Sequence, residues 1–87
     1  MKRSIMMFDS AFGWVIWIRQ TAYQVFSGDS MELRINNQYY QVVVISDTDA
    51  YRNWTIELDG VAFNLRKTEV YKVHINTADY KPYVVPF

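Results

Sequence analysis

The sequence has no cysteine, which excludes a disulfide framework and any zinc site built on thiolates. It has one histidine, His74, and no second imidazole with which that histidine could share a metal ion. No nucleophile, base and orienting group can be assembled from the spacing of residues, so we expect no enzyme activity and no cofactor. A structural or surface role is the simplest interpretation of His74.

The sequence also lacks an excess of either charge sign and any long apolar run. Nine basic and nine acidic residues cancel and are scattered along the chain, which argues against a simple polyanion binder and against an acidic DNA mimic. The longest apolar run, residues 11–18, is shorter than the ~20 residues that cross a bilayer. Lys2-Arg3 resembles the start of a signal peptide, but Asp9-Ser10 interrupts the apolar region that follows. We therefore expect a soluble, cytoplasmic protein.

What the sequence has instead is aromatic bulk: five Phe, seven Tyr and three Trp among 87 residues. Each large ring can bury roughly 150–250 Å², which allows a short chain to form one real core. We predict a single domain over residues 1–87. Residues 76–87 should form an extended C-terminal tail, because Pro82 and Pro86 cannot donate hydrogen bonds to a β-ladder.

The strongest local signal is Asp59-Gly60 inside WTIELDGVAFNL, residues 54–65. A type I′ turn needs positive φ at both central residues, and Asp-Gly is a preferred pair for it. The hairpin should therefore place six apolar residues on one face as cross-strand pairs. Those pairs are Leu58 with Val61, Ile56 with Phe63 and Trp54 with Leu65.

Further strands are indicated by alternation of apolar and polar residues. Met31, Leu33 and Ile35 alternate with charged residues, and a second tight hairpin should follow at either Asn36-Asn37 or Asn37-Gln38. Residues 4–8, 13–19 and 70–75 also have strand patterns, whereas residues 20–26 could continue a strand or form an irregular connection. Helical periodicity is absent, so the sequence predicts an all-β fold. The expected architecture is a small antiparallel barrel of five to six strands, SH3-like or OB-like, with the two tight hairpins favouring the SH3-like form.

Two segments together resemble a known family. They are VFSGDSMELRINNQYYQVVVIS, residues 25–46, and WTIELDGVAFNL, residues 54–65. Their order of turns and strands is similar to that of small uncharacterised SH3-like-barrel domains from mobile elements of Gram-positive bacteria. The resemblance implies a barrel without enzymatic activity. The mobile-element setting further implies an inhibitor of a host defence nuclease, such as an anti-CRISPR protein acting on a Cas nuclease.

The expected function is a non-catalytic protein-binding module. Tyrosine and arginine are enriched at protein interfaces, where they give rigid contact area and hydrogen bonds. Strand parity or loop position puts four such residues outside the core, and these are the predicted partner-binding residues: Tyr39, Tyr51, Arg34 and Arg52.

The alternative is a nucleic-acid-binding barrel, since small barrels also bind nucleic acids through charge and stacking. Its predicted cations are Arg34, Arg52, Arg66 and Lys67. A contiguous positive groove on the folded protein would favour this alternative, whereas a neutral aromatic patch would favour the protein-binding module. Asp47 and Asp49 are interpreted as ordinary turn residues and not as cation ligands.

Overall fold

Nine β-strands form one antiparallel sheet in the computed structural model, which describes residues 2–46, 54–80 and 82–83. Two predicted partner-binding residues, Tyr51 and Arg52, lie outside the described residues, as do Asp47 and Asp49. The strands are β1 (Lys2–Asp9), β2 (Gly13–Ile18), β3 (Thr21–Gln24), β4 (Ser30–Ile35), β5 (Gln38–Ser46), β6 (Trp54–Leu58), β7 (Val61–Asn64), β8 (Tyr71–Ile75) and β9 (Pro82–Tyr83).

Turn chemistry explains the two central hairpins. Asp59 and Gly60 have φ values of 50° and 80°, as a type I′ turn requires, and Leu58 pairs with Val61. Asn36 and Asn37 have φ values of 50° and 68°, so the β4–β5 hairpin is centred on this pair. Both predicted hairpins are confirmed, with Asn36-Asn37 chosen over the alternative turn.

The topology is two meanders joined by a late strand. β1–β2–β3 form one meander and β4–β5–β6–β7 form the other, while β8 pairs with both β1 and β4 and lies between them. β9 adds to the free edge of β3, so the order is β7-β6-β5-β4-β8-β1-β2-β3-β9.

The predicted five- to six-stranded SH3-like barrel is not confirmed, although the all-β class is. The structure has nine strands, and they include residues 21–24 and 82–83, which pair with each other. No ladder in the described part of the chain joins β7 to β9, so the sheet is open. Both of these strands, β3 and β9, extend the sheet beyond β2 at one end, and neither pairs with β7 at the other end.

One face of the sheet supplies the core. Alternate residues of nearly every strand are buried in a single apolar cluster that includes Met6, Ile16, Val44, Val73 and Ile75, all fully buried. Because the described residues contain no α-helix, the sheet itself must bend to enclose this face. None of the helical structure described is long or apolar enough to cross a membrane.

Polar contacts hold residues 76–80, which follow β8, against the sheet. A three-residue 3-10 turn, Thr77–Asp79, follows β8 and is capped by the Asn76 side chain. The Tyr80 hydroxyl then donates to the carbonyl of Ser30, at a distance of 2.8 Å. The start of the predicted tail is therefore held against the sheet; residues 84–87 are outside the described part.

Candidate functional site

The outer face of the sheet carries two adjacent rows of cross-strand neighbours. The observed register pairs Arg34 with Tyr39, and it sets Ile5 between Lys72 and Trp17. In the next row, His74 lies between Arg3 and Glu32. The first row contains Tyr39, Arg34, Lys72, Ile5 and Trp17, and the second contains Glu32, His74 and Arg3. Side chains at such positions are about 5 Å apart at their Cβ atoms.

Continuing the register adds two like-charged pairs. The β4–β8 register that pairs Glu32 with His74 sets Arg34 across from Lys72 two residues further on. The β1–β2 register likewise sets Arg3 across from Arg19, which occupies the β2–β3 turn with a φ of 55°. Four cations from four neighbouring chain segments therefore meet on one face.

These side chains line an open groove of about 670 Å³. The groove combines cations with apolar and aromatic surface, and its walls include Arg3, Arg19, Arg34, Lys72, Ile5, Trp17 and Tyr39. A second cavity of about 480 Å³ shares Arg3 and Arg19 with the groove and continues to Thr21, Tyr23 and Thr77. The two cavities meet at Arg3 and Arg19, whereas Ile18 and Tyr23 of the second cavity pack against the core on the other face of the sheet.

The charge balance of the groove differs from that of the whole chain. Four of the nine basic residues line it, whereas no acidic residue of the described part does. The nearest described carboxylate on these rows is Glu32, whose Oε1 lies 3.5 Å from Nδ1 of His74. A neutral protein thus has a locally positive concave surface, which concentrates anions.

An aromatic stack forms one wall of the groove. The rings of Tyr39 and His74 lie 3.7 Å apart at their centroids, with 14° between their planes. Tyr39 therefore extends flat across β4 to reach β8. His74 is oriented by Glu32 on one side, while its Nε2 is buried and has no hydrogen-bond partner among the described residues. Beside the stack, the Arg34 guanidinium donates to the side-chain oxygen of Asn37.

The residues predicted from the sequence are only partly brought together. Arg34 and Tyr39 are cross-strand partners inside the groove. Lys67, by contrast, lies 4.8 Å from the centroid of the Phe8 ring, near the opposite end of β1 from Arg3. Five residues of extended strand separate those ends by about 17 Å. Of the cations proposed for the nucleic-acid alternative, Arg34 lines the groove and Arg66 and Lys67 do not, while Arg52 lies outside the described residues.

Sequence reasoning does not single out Arg3, Lys72 or Trp17 as members of a site. Arg3 and Lys72 are separated from each other by 68 residues in the sequence, and Trp17 belongs to the strand pattern of residues 13–19. Strand alternation alone would put Arg3 and Ile5 on one face of β1, and Lys72 and His74 on one face of β8. Which strands flank β8 is a non-local fact, so alternation could not have shown that these faces adjoin.

Metal chemistry has no centre in the described residues, where no three His, Asp or Glu side chains converge. Comparisons of the chain with family models, with curated proteins and with solved structures found no match. The resemblance to mobile-element domains stays a prediction.

Proposed function

We propose that this protein binds nucleic acid in the outer-face groove. The observation that carries the proposal is that four cations and two aromatic side chains line one concave surface in a chain with no net charge. Phosphate groups are the ligands that arginine and lysine bind best in such an array, and the aromatic surface suits nucleobases.

The spacing of the cations fits a chain of phosphates. Arg34, Lys72, Arg3 and Arg19 belong to β4, β8, β1 and the end of β2, which are consecutive in the sheet. Three inter-strand steps span about 14 Å. The groove therefore presents a ladder of positive charges to a linear polyanion, and a single small anion would leave part of it unused.

Like charges directly across a ladder destabilise a sheet. Continuing the observed registers just beyond the paired residues sets Arg34 opposite Lys72 and Arg3 opposite Arg19, and no described acidic side chain lines the groove. Neutralisation by bound phosphates would relieve both repulsions and release counterions. The arrangement is thus costly in the free protein and favourable in a complex with a polyanion.

A charge-reversal pair with a matched control tests the proposal. Arg3→Glu with Lys72→Glu changes the net charge by the same amount as Arg66→Glu with Lys67→Glu, but only the first pair lies in the groove. Fluorescence anisotropy with labelled oligonucleotides at low salt should show at least about a tenfold loss for the groove pair. The control pair should retain the wild-type affinity within about threefold.

Melting curves check that both variants remain folded. Equal losses for the two pairs would mean that binding follows net charge and not the groove. Failure of the wild-type protein to bind any oligonucleotide at low salt would reject the proposal outright.

A second candidate is the non-catalytic protein-binding module expected from the sequence, including an anti-CRISPR inhibitor of a Cas nuclease in the cytoplasm. The observation that favours it is the edge strand β7, where Val61 and Phe63 are 54% and 46% exposed. Tyrosine and arginine at Tyr39 and Arg34 are also residue types that anchor protein interfaces. Binding assays against purified defence nucleases would test this function, and Tyr39→Ala should then cost about 2 kcal/mol of binding energy.

A further inference from the structure

The aromatic side chains of the groove are placed among its cations and not apart from them. Tyr39 and Trp17 stand at the two ends of the first row, with Arg34, Lys72 and Ile5 between them. Tyr39 is 36% exposed, and its ring is held flat by the stack on His74. The ring is therefore oriented before any ligand arrives, which lowers the entropy lost on stacking.

Base faces are available only in an unpaired strand, because a duplex hides them between neighbouring base pairs. Proteins that bind single strands accordingly combine a positive track for the backbone with aromatic platforms for the bases. A duplex-binding surface would have use for the four cations of this groove. It would have none for the two aromatic rings that flank Arg34 and Lys72.

We infer that the ligand of the groove is a single-stranded nucleic acid whose bases stack on Tyr39 and Trp17 while its phosphates bind the neighbouring cations. This inference rests on the proposed function and names its substrate class. The ligand crosses the strands of the sheet, since the cations are spread over β4, β8, β1 and the end of β2.

The dimensions of the groove give a length for the bound segment. The Tyr39 ring reaches His74 on β8, and β8 is two inter-strand steps, or about 10 Å, from β2, which carries Trp17. This leaves room for one or two nucleotides between the two stacked bases. The bound segment is thus about four nucleotides, the lower end of the range for small single-strand-binding barrels.

Charge and stacking can be separated experimentally because they respond differently to salt. Four phosphate contacts predict that log K falls with log salt with a slope of about −3 for a single strand. Lys72→Ala should reduce that slope by about 0.7. Tyr39→Leu should leave the slope unchanged and lower the affinity for single strands about tenfold. Tyr39→Phe keeps the stacking face and is the matched control, with an affinity within about threefold of wild type.

The experiment uses the full chain and three labelled ligands of about ten nucleotides, the length allowing several registers of a short site. These are oligo-dT, oligo-U and a DNA duplex, titrated at several salt concentrations. At least one of the two single strands should bind about tenfold more tightly than the duplex. Whichever sugar is preferred, DNA or RNA, identifies the source of the ligand. Trp17→Phe provides an independent readout, since quenching of indole fluorescence by a stacked base should be lost while most of the affinity remains.

Two failures are distinguishable. If the duplex binds as tightly as the single strands, or if Tyr39→Leu weakens both ligands by the same factor, the single-strand inference is wrong while the proposed nucleic-acid function stands. If no oligonucleotide binds at low salt, the proposed function fails and the inference fails with it. Melting curves of every variant show whether a loss of binding reflects a loss of folding.

Discussion

The β6–β7 hairpin and the outer-face groove differ in how far apart in the sequence their paired residues are. The hairpin joins residues that are close in sequence through one turn at Asp59-Gly60, and its partners are fixed by that turn. The groove brings Arg3 next to His74, which lies 71 residues further along the chain. The comparison teaches that local turn chemistry shapes the scaffold here, whereas the site depends on a strand that arrives late in the sequence.

Burial also differs between β8, which contributes Lys72 and His74 to the groove, and β7 of the hairpin. In β8, Val73 and Ile75 are fully buried, and the strand is paired on both sides. In β7 all four residues are exposed, and only one side of the strand is paired. Changes in β8 should therefore affect the whole fold, while changes in β7 should stay local.

The largest expected effect comes from truncating the core of β8. Ile75→Ala should lower the free energy of unfolding by about 3 kcal/mol, since it leaves a cavity in a fully buried cluster. Phe63→Ala on β7 removes a larger side chain but should cost less than about 1 kcal/mol, because Phe63 is half-exposed. Urea unfolding of both variants measures the contrast. Equal losses would show that β7 contributes to stability as much as the central strand does.

The next effect concerns the turn of the hairpin. Gly60→Val should cost on the order of 1–3 kcal/mol, because Gly60 has a φ of 80°, where a β-branched residue is strained. Gly60→Asn is the control, since asparagine tolerates this region far better. Oligonucleotide affinity should be unchanged in both variants, as the turn is outside the groove. If Gly60→Val remained folded but bound oligonucleotides more weakly, the hairpin turn and the groove would not be independent.

A smaller effect is expected from the contact that joins Tyr80, directly after the 3-10 turn, to the start of β4. Tyr80→Phe removes the hydrogen bond from the Tyr80 hydroxyl to the Ser30 carbonyl and should cost about 1 kcal/mol at neutral pH. Phenylalanine keeps the ring and fills the same space. The lower stability therefore comes from the Ser30 carbonyl, which is left without its donor. Thermal or urea unfolding at pH 7 measures the difference.

The same contact predicts a dependence on pH. Burial of the Tyr80 hydroxyl raises its pKa well above the ordinary value of 10.0, and the nearby Asp29 and Asp79 carboxylates raise it further. The folded protein then keeps a proton that the unfolded chain loses, so the contribution of Tyr80 to stability is complete below pH 10 and declines as the pH rises beyond it. The advantage of wild type over Tyr80→Phe should shrink above that pH. A constant difference up to high pH would show that the hydroxyl is exposed to solvent.

Sequence reasoning predicted the elements whose partners are near in the chain. Both hairpins were located by residues that accept positive φ, and the pairing of Arg34 with Tyr39 follows from the Asn36-Asn37 turn. β3 was left ambiguous because its preceding turn uses Arg19, a residue type that rarely accepts positive φ. β9 was missed because a two-residue strand has no periodicity to detect.

The sequence by itself determined the all-β class, the two tight turns and which face of each hairpin is apolar. These features depend on backbone preferences and alternation within about a dozen residues. Only the tertiary structure decided that β8 lies between β1 and β4, and hence that Arg3, Lys72 and Trp17 line one groove with Tyr39. The reason is physical: strand alternation assigns each side chain to a face, but neighbours across a sheet are chosen by the combined burial of distant strands.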